Sequence, residues 1–163
     1  LIYLAIEKNI IKDALLAQNE RELKLIWTLR EDVSVLAKKS TYDQHFDISL
    51  PIPVIENEVN IAIKKLNKLT YVENIFVFGH LADGNIHFII GKSKNDEEKT
   101  KKINDIIYKN LKKNSGSVSA EHGIGIDKKA YLKTSRSKAE IDLMNKLKKS
   151  LDPKNLLNTG RII

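Results

Sequence analysis

Four histidines are spread through the 163 residues, at positions 45, 80, 87 and 122. Two of them flank a short turn in Gly79-His80-Leu81-Ala82-Asp83-Gly84-Asn85-Ile86-His87. Asp-Gly is a turn pair, so this stretch reads as a hairpin whose first strand ends at His80 and whose second opens towards His87. A hairpin of that length brings its strand ends together, which lets both imidazoles converge on one ion. Ser119-Ala120-Glu121-His122-Gly123-Ile124-Gly125 adds a carboxylate and another imidazole where glycines permit close backbone approach. Two histidines and one glutamate form a ligand set for zinc, manganese or ferrous iron that leaves positions open for a substrate. Blander duties also fit. Histidines at strand ends commonly hydrogen-bond at a surface, Glu121-His122 could close a polar turn on Gly123, and Asp83 reads as a turn former.

Arg30 is the other residue whose neighbours suggest chemistry. It lies three residues past Trp27 and four before Ser34, so on a helix the three share a face. A guanidinium on a packed face beside Trp27 wants an anion, because an unpaired buried charge is costly. Asp47 would serve, or an Arg30 that snorkels to solvent.

These residues need a scaffold, and the chain is long enough for one domain, residues 1–163, with a real core. The absence of cysteine excludes a disulfide framework and every thiolate metal site. No apolar run approaches the ~20 residues that span a bilayer, and no signal-peptide pattern opens the chain. The expected location is the cytoplasm, or the inner face of the membrane as a peripheral protein. The chain opens on Leu1 rather than Met, so a piece of a longer protein is expected.

The net charge of +7 is unevenly placed. Residues 1–91 carry 10 Lys/Arg against 12 Asp/Glu, and residues 92–163 carry 18 against 9. In the basic half, Ile103, Ile106, Ile107 and Leu111 keep helical spacing with lysines between them. That is the solvated face of an amphipathic helix, and no aromatics interleave with the lysines for stacking on single strands. Nucleic acid is not an expected partner.

Residues 1–8 read as the end of a helix and residues 13–17 as a short strand. Asn19 with Glu22 forms a capping box, and Leu23, Ile26, Trp27, Val33 and Ala37 continue a helical stripe to about Lys39. A strand over 46–50 stops at Pro51 and Pro53. Helices are expected over 55–69, 96–113 and 137–150, and strands over 75–79 and 86–91. The pattern is α+β, a small and mostly antiparallel sheet covered by amphipathic helices.

Taken together the motifs are more specific than apart. The 79–87 and 119–125 segments, followed by Leu151-Asp152-Pro153-Lys154-Asn155-Leu156-Leu157-Asn158-Thr159-Gly160-Arg161, resemble the C-terminal domain of FAD-linked oxidases. That family includes D-lactate dehydrogenases, the glycolate oxidase flavin subunit and D-2-hydroxyglutarate dehydrogenase. Leu25-Ile26-Trp27-Thr28-Leu29-Arg30-Glu31 and Phe46-Asp47-Ile48-Ser49-Leu50-Pro51 are similar to it as well, so the likeness runs from about Asp13 to Arg161.

The resemblance implies part of a ferredoxin-like substrate domain, with FAD held mainly by a separate N-terminal domain of the same protein. It implies that His80, His87 and Glu121 hold a divalent metal, zinc or manganese, that grips a 2-hydroxy acid. His122 would accept the hydroxyl proton while the α-hydride passes to the flavin. Arg30 matches a substrate-carboxylate arginine, Ser34 a hydroxyl position nearby, and Asn158 a flavin contact. An electron-acceptor protein or quinone is implied as a partner, and a homodimer is a further candidate. Hydroxyglutarate-type members place Lys where His45 stands and Asn where Ile89 stands, which points here to a small or apolar acid of the D-lactate or glycolate type. Ala82 replaces the usual Gly of the loop, and Thr159 the Pro beside Asn158. The chain alone is expected to be colourless and inactive. The competing expectation is a free-standing metal- or anion-binding module without catalysis.

Overall fold

The computed structural model describes residues 1–32 and 39–163, and Arg30 by its backbone alone. The chain divides into two compact units, Leu1–Val35 and Leu36–Ile163.

The first unit contains α1 (Ile2–Glu7) and α2 (Glu20–Glu31). The expected cap is present: the Asn19 side chain accepts the Glu22 N–H at 3.0 Å, and the Glu22 carboxylate reaches back to the Gln18 N–H at 2.7 Å. Val33, Ser34 and Ala37 lie outside the described residues. The strand expected over residues 13–17 does not form. Leu15 and Leu16 are 80% and 63% exposed, and no described strand pairs with them. A short apolar run has no way to satisfy its backbone as a strand without a ladder partner. The Ala14 N–H turns to the Asp13 carboxylate instead, at 2.7 Å.

In the second unit, β1 (Tyr42–Ser49), β2 (Val72–His80) and β3 (Asn85–Lys92) form one sheet in the order β1-β3-β2, antiparallel throughout. It is joined by α3 (Ile52–Leu66), α4 (Glu97–Tyr108) and α5 (Lys138–Leu151). The architecture is α+β, as the pattern predicts. β1 starts four residues before the expected Phe46 because it pairs along the whole of β3, from Tyr42 opposite Lys92 to Ser49 opposite Asn85. α3 starts three residues early: Pro53 sits in its first turn, where a missing N–H leaves nothing unpaired. α4 ends at Tyr108 rather than at residue 113, since the chain then turns to tuck Leu111 into the core, where it is 2% exposed.

The strand period of two sorts the sheet into two faces. Phe46 and Ile48, Ile86, Phe88 and Ile90, and Ile75 and Val77 line the first. Ile55, Ala62 and Leu66 of α3 and Ile103, Ile107 and Tyr108 of α4 pack with them into one core. The lysines of α4 fall opposite, with Lys101 and Lys102 exposed. The second face carries His45 and Asp47 on β1, Asn85, His87 and Ile89 on β3, and Phe76, Phe78 and His80 on β2. Apolar alternation thus builds the core, and the polar residues it displaces collect on one surface.

Candidate metal and substrate site

The hairpin closes more tightly than its sequence suggests. β2 runs through His80, a 3-10 turn spans Leu81–Asp83, and β3 begins at Asn85. Gly84 makes the reversal at φ 69°, and a Cβ there would lie 2.3 Å from the Leu50 carbonyl oxygen. Asp83 stays in the turn and exposed. His80 pairs with Asn85 and Phe78 with His87, so the two imidazoles stand on the same face with ring centroids 5.8 Å apart.

The third group comes from a distant stretch of chain. Ser117 bridges to Ser49 at the end of β1, and this lays residues 119–122 beside the histidines. Glu121 Oε1 is 3.6 Å from His80 Nε2, and its Oε2 is 3.9 Å from His87 Nε2. One ligand atom from each of His80, His87 and Glu121 lies within 4.8 Å of the others. Two imidazole nitrogens and a carboxylate oxygen, partly open to solvent, are a donor set that fits a divalent cation with positions to spare.

His122 does not point away from its neighbour. An extended backbone would send Glu121 and His122 to opposite sides. Here the segment bends, because three successive N–H groups, of Ala120, Glu121 and His122, all donate to Asp47 Oδ2 at 3.1, 2.8 and 2.7 Å. As a result the His122 ring stacks on His87, 5.5 Å between centroids, while Glu121 meets the same imidazole through its carboxylate. Burial, more than any neighbour, holds the His87 pKa below its ordinary value despite the Asp47 and Glu121 carboxylates, and so favours the neutral imidazole.

Asp47, Ser119 and Lys128 take roles at the site that sequence reasoning did not assign to them. Asp47 is fully buried, its Oδ2 also accepts the Ser119 hydroxyl at 3.1 Å, and Lys128 Nζ stands 3.6 Å away. Burial alone would push this carboxyl up; the His122 and Glu121 N–H groups, Ser119 and Lys128 together outweigh it and hold the pKa low. The available signal was a lone carboxylate between Phe46 and Ile48 in a strand. Such a residue must find donors inside the protein.

The C-terminal motif joins the same region. The Ile162 N–H donates to the Gly125 carbonyl at 3.1 Å, and Lys129 Nζ to the Gly160 carbonyl at 3.1 Å. Asn158 turns the chain at φ 47° and is exposed. His45 is exposed on the histidine face, two rungs from His87 and opposite Ile89. Arg30 belongs to α2 in the first unit, and Ser34 falls outside the described residues.

The model of a family described as FAD linked oxidases, C-terminal domain, matches residues 3–162. The chain belongs to this family. It is 33% identical to a mitochondrial D-2-hydroxyglutarate dehydrogenase of Arabidopsis thaliana over 159 residues, which is 98% of this chain and 28% of that protein. It is 32% identical to a D-2-hydroxyglutarate dehydrogenase of Stutzerimonas stutzeri (96% and 35%). A mitochondrial protein of Schizosaccharomyces pombe, whose name assigns it provisionally to the D-lactate dehydrogenases, is 35% identical (93% and 31%). The chain therefore spans about a third of the length of these relatives. Within the FAD-linked oxidase C-terminal domain, the described residues bring the 79–87 and 119–125 motifs together, and the chain end that follows the 151–161 motif meets Gly125. No described helix is long and apolar enough to cross a membrane.

Proposed function

We propose that this chain is the substrate- and metal-binding part of an FAD-dependent dehydrogenase that oxidises a small 2-hydroxy acid, of the D-lactate or glycolate type, to the 2-oxo acid. The observation that carries the reading is the convergence of His80, His87 and Glu121 within 4.8 Å in a chain matched nearly end to end by the FAD-linked oxidase family. A bound divalent metal, zinc or manganese, would supply a Lewis acid that lowers the pKa of the substrate hydroxyl. The flavin, held mainly by an N-terminal domain of the full-length protein with a contact from Asn158, would supply the hydride acceptor.

The chain's own residues do the rest. His80, His87 and Glu121 fix the cation at one place on the sheet face. His122, stacked on His87, takes the hydroxyl proton on its free imidazole nitrogen as the α-hydrogen leaves with its electron pair, so substrate loses a proton and a hydride and becomes the 2-oxo acid. The family resemblance assigns the substrate carboxylate to Arg30, a hydroxyl position nearby to Ser34, and a part in substrate binding to His45. Ile89, 2% exposed, with Phe76 and Phe78 makes the remainder of the histidine face apolar, which favours a substrate without a second carboxylate. An acceptor protein or quinone reoxidises the flavin, and the working place is the cytoplasm or the inner membrane face.

The test is the full-length protein, purified and assayed with D-lactate, glycolate and D-2-hydroxyglutarate using an artificial electron acceptor. Oxidation of one of the first two, lost on chelation and restored by zinc or manganese, supports the reading. A flavin-containing protein that oxidises none of them while still binding metal would leave a binding module without catalysis. Preference for D-2-hydroxyglutarate would overturn the substrate class alone.

A further inference from the structure

Asp47 has no part in the chemistry above, yet it is the most deeply buried carboxylate among the described residues. Its two oxygens differ. Oδ2 is saturated by the N–H groups of Ala120, Glu121 and His122 and the Ser119 hydroxyl, with Lys128 alongside. Oδ1 is buried and accepts no hydrogen bond. It faces His87 Nδ1 at 3.8 Å, across the rung that pairs Asp47 with His87. His87 turns its other nitrogen, Nε2, towards Glu121.

We propose that Asp47 is the positioning residue of this site: Oδ2 sets the bend that carries Glu121 and His122, and Oδ1 keeps the His87 proton on Nδ1 so that Nε2 is free to bind a cation. The proposal rests on the reading of His80, His87 and Glu121 as metal ligands. An imidazole coordinates through one nitrogen only when the other carries the proton, and an acceptor at that proton fixes both tautomer and ring angle. At 3.8 Å the contact is too long for a hydrogen bond, so cation binding at Nε2 is expected to draw it shorter. One carboxylate thereby aligns groups from two separate stretches of chain, residues 119–122 and β3.

Asp47, His87 and His122 also bring ligand atoms within 4.8 Å of one another. A cation there would use the His87 nitrogen that faces Asp47, on a side chain 11% exposed, and would sit beside the Lys128 ammonium. That positive charge favours the outer set.

The experiment uses the full-length protein labelled with 15N at histidine, with the His87 signals assigned by their loss in His87→Gln. Long-range proton–nitrogen spectra are recorded with and without zinc, beside a calorimetric zinc titration. The expected result is a His87 protonated on Nδ1 that keeps this proton when zinc binds. In Asp47→Asn the tautomer shifts towards Nε2–H and zinc affinity falls about 10–100-fold. Ser119→Ala, which leaves Oδ1 untouched, keeps the tautomer. A wild-type His87 protonated on Nε2 overturns the proposal without any variant, as does zinc on Nδ1. So does an Asp47→Asn protein that melts earlier but keeps both tautomer and affinity. A wild type that shows Nδ1–H and binds no zinc supports the Asp47–His87 orientation and overturns the metal reading.

Discussion

Ser49 and Ser117 exchange a pair of backbone hydrogen bonds: the Ser49 N–H donates to the Ser117 carbonyl at 3.1 Å and the Ser117 N–H to the Ser49 carbonyl at 3.0 Å. This short antiparallel bridge fastens the chain leaving α4 to the end of β1, two residues from Asp47 on one side and four from Glu121 on the other. Its position along β1 decides whether Glu121 lands beside His80 and His87, because slipping a strand pair by one residue reverses every side chain.

Gly116 makes that bridge possible. A Cβ there would lie 2.6 Å from the Ser49 carbonyl oxygen and 3.0 Å from carbons of Leu111 and Leu50. The nearest atom is backbone and itself holds the bridge, so it cannot give way. Gly116→Ala is expected to lower stability by ~1–3 kcal/mol through overpacking and to weaken zinc binding by the full-length protein. Thermal melts and a zinc titration read both quantities. An unchanged affinity would mean that Glu121 reaches the histidines without this anchor.

The roles of the histidines separate by variant. In the full-length enzyme, His80→Ala should lose metal and turnover together. His122→Ala should keep its metal and lose about 10²–10⁴-fold in turnover, the range of a general base. Metal analysis beside steady-state rates distinguishes the two. If His122→Ala strips the metal and Glu121→Ala does not, the assignments are reversed.

The hairpin histidines were legible because two strands and an Asp-Gly turn leave few ways to place residues 80 and 87. The α+β class was legible for the same reason: the 3.6 and 2.0 periods survive in α3, α4, β2 and β3. The 13–17 segment misled because an apolar run reports burial and not a ladder partner, and Leu15 and Leu16 are exposed. Asp47 was hidden for the opposite reason. Its partners Ala120, Glu121 and His122 lie more than 70 positions away and donate through their backbones, which carry no side-chain signature. The bend at Glu121 and His122 follows from that unseen anion, so the expectation of opposed side chains missed it too.

Acid should release the end of α5 only as pH approaches 2. The Asp152 carboxylate caps that helix end, accepting the N–H groups of Leu156 and Leu157 at 2.9 Å each and pairing with Lys148. Lys148 first, then these two amides, hold its pKa at about 2 against an ordinary 3.8. A carboxyl with a lowered folded pKa contributes its full stabilisation above the unfolded value and loses it as pH falls through the folded one. Carbon-detected titration of Asp152 should therefore show a midpoint near pH 2. The amides of Leu156 and Leu157 should lose exchange protection as pH falls from 3.8 towards 2, and Asp152→Asn should remove that pH dependence. A midpoint near the ordinary value would show that the cap does not hold in solution.

Substrate size should be set on the histidine face by two positions that oppose each other across β1 and β3, His45 and Ile89. Ile89 is 2% exposed, two residues from the proposed ligand His87, and it offers no donor to a second carboxylate. His45 is exposed. The hydroxyglutarate-type pattern has Lys and Asn at these places, so a His45→Lys, Ile89→Asn full-length protein should gain D-2-hydroxyglutarate oxidation. A hydrogen bond to a charged group is worth ~1.5–3 kcal/mol, which corresponds to a rise of about 10–100-fold in kcat/KM for that acid relative to D-lactate. Each single variant should give less, and Ile89→Asn alone should also lose stability because its amide enters a buried place without a partner. Competition assays with both acids, beside melting curves for all three variants, decide the matter. A wild type that already prefers the dicarboxylate, or a double variant with an unchanged ratio, would place the size determinant elsewhere in the enzyme.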